Sequence, residues 1–236
     1  MQKNERVLLK FGIIGTLVVF GMASISYIFG AINDAKAVSA PEQASVEVSD
    51  IQPMAMGDAP VFVIDSAQSE VRFSLGELLG GEPVIVVGVT DLVSGTISLS
   101  TDAPQDAHVG VILINAGGLA TNNDFRNRAI HSVILNTSAY EYIRFVPTSI
   151  NGLPDAVSLG EAVEFEIVGT LTIKDVSREV IFSAVVTPVS DTQLDGHAEA
   201  MIAYADYGIL IPSAPRVAEV DKEVLLEIDF VALMAE

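Results

Sequence analysis

Apolar and polar residues alternate along most of the chain after residue 60, and this pattern constrains the fold more than any other feature. The clearest segment is 163–173, where Phe165 and Ile167 fall on one face while Glu164 and Glu166 fall on the other. Successive side chains of a β-strand point to opposite faces of a sheet, so a period of two indicates strands with one buried face. We therefore predict an all-β domain.

Eight or nine such segments follow one another at short spacing, separated by turn signals such as Gly80-Gly81 and Asn151-Gly152. Between Asn122 and Asn136, apolar residues instead recur at a nearly helical period, which predicts one short helix crossing between strands. Many strands with a single helix are typical of a sandwich or a closed barrel. A barrel of about eight strands is either filled by side chains or encloses one ligand, and periodicity leaves both states open.

The N-terminus carries a membrane signal. Residues 11–33 are 23 consecutive uncharged residues, and basic residues precede them. At about 1.5 Å per residue, this run spans a hydrocarbon core of roughly 30 Å. The basic flank predicts that residues 1–10 stay cytoplasmic and that the body is exported.

A cleaved signal peptide is the alternative, with Val38-Ser39-Ala40 as a candidate cleavage site, but its apolar region is usually shorter. We favour an uncleaved single-pass anchor at 11–33. A flexible linker over 34–59, rich in Ala, Ser and Pro, and a folded domain over 60–236 then complete the organisation.

Charge excludes one class of partner. The chain has a net charge of −19, and its four basic residues before position 37 leave only eight for the rest of the chain. A body this acidic repels phosphate backbones, so nucleic-acid binding is not expected. The chain contains no cysteine, which excludes disulfides, thiolate nucleophiles and cysteine-ligated metals.

No catalytic or metal-binding motif is evident, so we predict neither an enzyme nor a metal or cofactor site. The histidines, His108, His131 and His197, are far apart in the sequence and lack metal-ligand spacing. The most concentrated polar segment is 122–132, which contains Arg126 and Arg128. These side chains either meet the polar headgroup of a ligand at a barrel mouth or simply pair with surplus carboxylates.

Several ordered segments resemble the YceI-like family. Residues 61–73, VFVIDSAQSEVRF, are similar to its opening strand pair, and residues 123–145 resemble its "N-x-x-R…L-x-x-x-x-Y-x-x-x-x-F" stretch. The most specific match is 168–180, VGTLTIKDVSREV, which resembles "G-x-L-T-I-x-G-V-T-x-x-V". Residues 205–209 and 221–229 are similar to its closing elements.

The resemblance implies an antiparallel, lipocalin-like β-barrel whose elongated apolar interior binds a polyisoprenoid or similar amphipathic lipid outside the cytoplasm. It favours a hollow interior, whereas an apolar stripe taken alone more often forms a packed core. The residues then expected to contact the ligand are Phe73, Phe125, Arg126, Arg128, Ile130, His131, Leu135, Phe145, Phe165, Phe182, Tyr207 and Phe230.

The leading hypothesis is a membrane-tethered, extracytoplasmic protein that sequesters or carries an isoprenoid or quinone-like lipid. Its expected partners are that lipid, the membrane through residues 11–33, and a second copy of the chain in a homodimer. The alternative is a cell-surface interaction or structural domain with a filled barrel, because a fold does not determine a function.

Overall fold

A computed structural model describes residues 59–235, which form one curled antiparallel sheet with a single short α-helix. The predicted tail, the 11–33 span and nearly all of the 34–59 linker lie outside the described residues. The strands are β1 (Val61–Ile64), β2 (Glu70–Leu79), β3 (Glu82–Thr90), β4 (Val93–Ser94), β5 (Thr96–Ser98), β6 (His108–Val109), β7 (Ile112–Asn115), β8 (Tyr142–Asn151), β9 (Val163–Ile173), β10 (Val176–Ser190), β11 (Gln193–Ala203), β12 (Val217–Val220) and β13 (Glu223–Met234). Short 3-10 helices cover Ser66–Gln68, Pro104–Asp106, Ala116–Gly118 and Tyr204–Tyr207.

The strands pair in the order β4-β7-β8-β9-β10-β11-β13-β1-β5-β6, and β2 adds β3 and β12 beside β13. This confirms the predicted all-β, antiparallel class. The number of strands exceeds the eight or nine predicted, because β4, β5, β6 and β12 have only two to four residues. Runs this short carry too little alternation to be recognised in a sequence.

Residues 93–98 connect two separate parts of the sheet. Gly95 alone separates β4, which pairs with β7, from β5, which pairs with β1. The carbonyl oxygen of Gly95 accepts a hydrogen bond from the Ile64 amide at 3.0 Å. The strands at the two ends of the pairing order are therefore joined through this one segment.

The predicted helix over 122–136 is confirmed as α1 (Asp124–Ala129), which continues into a π-helical turn at Ile130–Ile134. The side-chain oxygen of Asn123 accepts hydrogen bonds from the Phe125 and Arg126 amides, so it caps the helix N-terminus. Asn136, with a φ of 51°, follows the turn. Within residues 59–235, no helix is both long and apolar enough to cross a bilayer.

Two clusters of buried apolar side chains flank the interior of the curled sheet. The larger one is built mainly on β8–β11, together with Ile130 of the π-helical turn and Tyr207 of the 3-10 helix at Tyr204–Tyr207. The smaller one contains Phe62, Val93, Leu194, Phe230 and other residues from β1, β4, β5, β10, β11 and β13. Four of its members also border the cavity described below, so this cluster forms one end of the interior.

Leu194 tests how much the smaller cluster stabilises the fold, because its side chain is 1% exposed and does not line the cavity. We expect Leu194→Ala to lower the free energy of unfolding by about 2–5 kcal/mol, since it removes buried methyl groups and leaves a void. Urea denaturation of residues 53–236 measures this change. Met201→Ala on the same strand is the control, because Met201 is 57% exposed and its loss should cost less than about 1 kcal/mol.

Candidate functional site

The curled sheet surrounds a cavity of about 780 Å³ whose walls are almost entirely apolar. Inward-facing residues of most strands line it, together with α1 and the segment 211–215. Small-molecule sites in proteins have volumes of roughly 300–1,000 Å³, so the cavity is large enough for a ligand. The interior is therefore not filled by side chains.

The inward-facing aromatic residues show why the cavity stays open. Phe73, Phe165 and Phe182 pack against the larger buried cluster yet are themselves only partly buried, because the rest of each ring borders the cavity. Phe145 and Phe182 meet edge to face, with ring centroids 4.9 Å apart, a preferred geometry for aromatic pairs. These rings form the wall of the cavity rather than its filling.

Glycines leave room for aromatic rings against the sheet at Gly88, Gly169 and Gly196, and two of these lie directly opposite their ring. Gly88 is directly opposite Phe73 across β2 and β3, and a Cβ atom there would lie 2.2 Å from the Phe73 ring. Gly196 has the same relation to Phe230 across β11 and β13, with a Cβ contact of 2.3 Å. A side chain at either position would push its ring towards the cavity.

Nine of the twelve residues that the sequence singled out line the cavity. They are Phe73, Phe125, Arg126, Ile130, Leu135, Phe145, Phe165, Phe182 and Phe230. They come from α1, the following π-helical turn, Leu135 directly after that turn and five different strands, so only the folded sheet brings them together.

The other three expected contacts, Arg128, His131 and Tyr207, do not line the cavity. The Arg128 guanidinium lies 4.6 Å from the centre of the Phe125 ring, a cation–π contact. The Nδ1 atom of His131 is buried. Tyr207 is 2% exposed, and burial raises the pKa of its phenol to about 12. Neighbouring positions in a helical segment face different directions, which explains why Arg126 reaches the cavity while Arg128 does not.

One end of the cavity opens to solvent, and we call it the mouth: Leu79, Phe125 and residues 211–215. Phe125 is 79% exposed and Leu79 is 38% exposed, although both line the cavity. Residues 212–215 are also exposed. Because eight residues of β-strand span about 26 Å, the inner face of β2 runs roughly that distance from Val71 to the mouth at Leu79.

Sequence reasoning missed a charged pair just inside the mouth. Glu77 occupies an inward-facing position of β2, on the same face as Phe73 and Leu75, and its side chain is only 7% exposed. Its carboxylate lies 2.7 Å from the Arg126 Nη2 atom. A carboxylate at an inner position of an otherwise apolar strand face was the available signal, but its partner lies 49 residues away.

The outer face of the sheet carries a network of charged side chains. Arg72 contacts Glu70 at 3.0 Å and Asp229 at 2.5 Å, and the ring of His197 makes a 2.7 Å hydrogen bond with Asp229. A ring nitrogen of His197 and carboxylate oxygens of Glu199 and Glu227 also lie within 4.8 Å of one another. Arg72 lies beside Glu227. Strand register assembles this network, because His197 and Asp229 are cross-strand neighbours.

This network changes the acidity of Asp229. Partial burial by itself raises the pKa of the Asp229 carboxyl, but the hydrogen bond with His197 and the contacts with Arg72 outweigh it. The net effect holds the pKa of Asp229 below its usual value. Hydrogen bonding to Glu70 in turn raises the pKa of Arg72.

The chain is thus an all-β protein whose curled antiparallel sheet surrounds an apolar cavity. The YceI-like domain family model matches residues 62–232, which is most of the chain. The chain therefore belongs to the YceI-like family. No curated protein sequence shows a significant match.

Solved structures share the fold at low sequence identity. A polyisoprenoid-binding domain from Saccharophagus degradans, implicated in plant cell wall breakdown, aligns with a TM-score of 0.60 and 15% identity, covering 75% of this chain and 99% of that domain. BcnA from Burkholderia cenocepacia aligns with a TM-score of 0.56 and 16% identity, covering 71% of this chain and 98% of its own. A YceI protein from Campylobacter jejuni has a TM-score of 0.51 and 14% identity, covering 63% and 84%.

Asp229→Asn tests the outer network through its pH dependence. A carboxyl whose pKa is lower in the folded state stabilises the fold above its unfolded pKa of about 3.9 and loses that contribution as the pH falls through the lowered value. We expect the variant to melt about 1–3 °C below the wild type at pH 6. The difference should be this small because about half of the Asp229 side chain is exposed to water, which screens its ion pairs.

The difference in melting temperature should shrink as the pH falls below about 4 and should vanish once Asp229 is protonated. Thermal denaturation between pH 7 and pH 2 measures it. Asp191→Asn, at an exposed turn position between β10 and β11, serves as the control. A difference that stays constant down to pH 2 would show that Asp229 stabilises the sheet without its charge.

Proposed function

We propose that this protein binds an isoprenoid or similar amphipathic lipid inside a closed, lipocalin-like barrel and sequesters or carries it. The observation that supports this most directly is the apolar cavity of about 780 Å³. The pairing of β4 and β5 on two sides supports closure of the barrel. The polyisoprenoid-binding domain from Saccharophagus degradans with the same fold supports the choice of ligand class.

The chemistry of the walls favours a long apolar chain over a compact polar molecule. Each CH₂ group that leaves water gains about 0.8 kcal/mol, so a few branched units are enough for binding after the ordering cost is met. The chain would extend along the inner face of β2, past Leu75 and Phe73, towards the end formed by the smaller buried cluster. Its polar end would stay at the mouth, where Arg126 and Glu77 lie.

Analysis of the co-purified lipid tests the proposal most directly. Residues 53–236 form one compact unit that contains every strand of the described sheet. We therefore expect this domain, exported to the periplasm of a bacterial host and purified without detergent, to yield an isoprenoid or quinone at close to one molecule per protein by mass spectrometry of an organic extract. A folded, lipid-free domain that also takes up no added prenyl lipid would contradict the proposal and favour an interaction domain.

A pair of adjacent substitutions separates the cavity from the rest of the sheet. Ala184 faces the cavity and is 3% exposed, whereas Val185, the next residue of β10, is 36% exposed and does not line it. We expect Ala184→Phe to lower lipid occupancy at least about fivefold, because the added ring competes with the ligand for volume. Val185→Phe should leave occupancy unchanged, and thermal melting of both variants monitors folding. Equal occupancy in the two variants would show that the lipid lies elsewhere.

We also propose that residues 11–33 tether the domain to a membrane, with residues 1–10 cytoplasmic and the domain outside. Support comes from the length of the uncharged run and the basic residues before it. The full chain should stay in the membrane fraction after carbonate washing, and protease added to intact spheroplasts should digest the domain. N-terminal sequencing of the membrane form distinguishes an anchor from a signal peptide cleaved after Ala40.

A further inference from the structure

The ion pair between Glu77 and Arg126 places charge where an apolar cavity would be expected. Glu77 lies among the inward-facing residues of β2, and its carboxylate is 7% exposed, while the Arg126 side chain is 23% exposed. Removing two charges from water is costly and is offset only when they pair closely, as these do at 2.7 Å. An apolar pair at these positions would line the cavity at lower cost, so the charges call for another explanation.

Among the charged residues that line the cavity, this pair is the one just inside the mouth; Arg128 lies against the Phe125 ring but does not line the cavity. Arg72 and Glu227 also border the cavity, but they bind each other and other carboxylates in the outer-face network. Asn123 caps α1 with its side-chain oxygen and thereby holds Arg126 in the first turn of the helix, facing Glu77. The pair as a whole carries no net charge.

Arg126 keeps donors available beyond this pair. A guanidinium has five N–H groups. One bonds to Glu77, and another makes a longer contact of 3.4 Å with the Asn122 side chain. A hydroxyl, carbonyl or amide oxygen can accept one of the remaining N–H groups while the ion pair stays intact.

Glu77 would disfavour an anionic headgroup at this site. A diphosphate would compete with Glu77 for Arg126, and the displaced carboxylate would then be nearly buried without its cation, which is strongly unfavourable. If Glu77 stayed in place, it would repel the phosphate at close range in a chain whose net charge is −19.

We infer that the Glu77–Arg126 pair selects lipids with an uncharged, oxygen-bearing headgroup and rejects diphosphate-headed lipids with the same chain. The inference rests on the lipid-binding function proposed above. Glu77 is then a specificity-determining residue: its charge cancels that of Arg126 and leaves only hydrogen-bond donors for the ligand.

A competition between two lipids that share one chain tests the inference. The full-length protein in a non-ionic detergent is mixed with equal amounts of geranylgeraniol and geranylgeranyl diphosphate, and native mass spectrometry gives the ratio of the two bound forms. Comparing each variant with the wild type cancels the different partitioning of the two lipids into micelles.

The wild type should bind mainly the alcohol. Glu77→Gln frees the Arg126 charge and should raise the share of bound diphosphate about tenfold, the size expected for one charge-assisted hydrogen bond. Glu164→Gln, which removes the same charge from an exposed position of β9, should leave the ratio unchanged. The double variant Glu77→Gln with Arg126→Gln, which lacks both charges of the pair, should again bind mainly the alcohol.

Each result has a distinct meaning. An unchanged ratio in a Glu77→Gln variant that melts cooperatively would overturn the inference, and so would a wild-type preference for the diphosphate. If Glu77→Gln does not fold, the double variant decides: a marked gain of diphosphate binding there would also overturn it. Failure of the wild type to bind either lipid would instead refute the proposed lipid-binding function.

Discussion

An apolar interior that is left open must be held open by the wall around it, and the whole structure depends on this constraint. The inward-facing rings of Phe73, Phe165 and Phe182 pack against the larger buried cluster, and their remaining surface borders the cavity. Long strands, β8–β11 and β13, supply continuous hydrogen-bonded ladders, and the smaller cluster around Leu194 packs one end. Burial is therefore concentrated at the flanks of the cavity, where it stabilises the fold without filling the space.

The two faces of the sheet use charge in opposite ways. On the outer face, Arg72, His197, Asp229 and their neighbours form a partly exposed network in which strand register sets the contacts and water screens the energies. On the inner face, the nearly buried Glu77 and its partner Arg126 stand among apolar residues. Because water screens charges less there, the proposed headgroup selectivity rests on this one pair and not on the larger network outside.

Sequence patterns predicted the long strands well and the site only in part. The alternation in 163–173 marks β9 and places Phe165 and Ile167 on the inner face, as the structure has them. The phenylalanines were recognisable because an apolar residue every second position must face inward. Arg128, which does not line the cavity, was grouped with Arg126 because a polar segment of a short helix shows which residues are charged but not which way each one points.

By itself, the sequence determined the all-β class, the inner face of each long strand, the short helix and membership of a recognisable family, because these depend on local periodicity and ordered motifs. The tertiary structure alone decided that the interior is hollow and that Glu77 meets Arg126. An apolar inner face has the same sequence pattern whether it belongs to a packed core or to a cavity wall. Only the curvature and pairing of the sheet set the width of the interior.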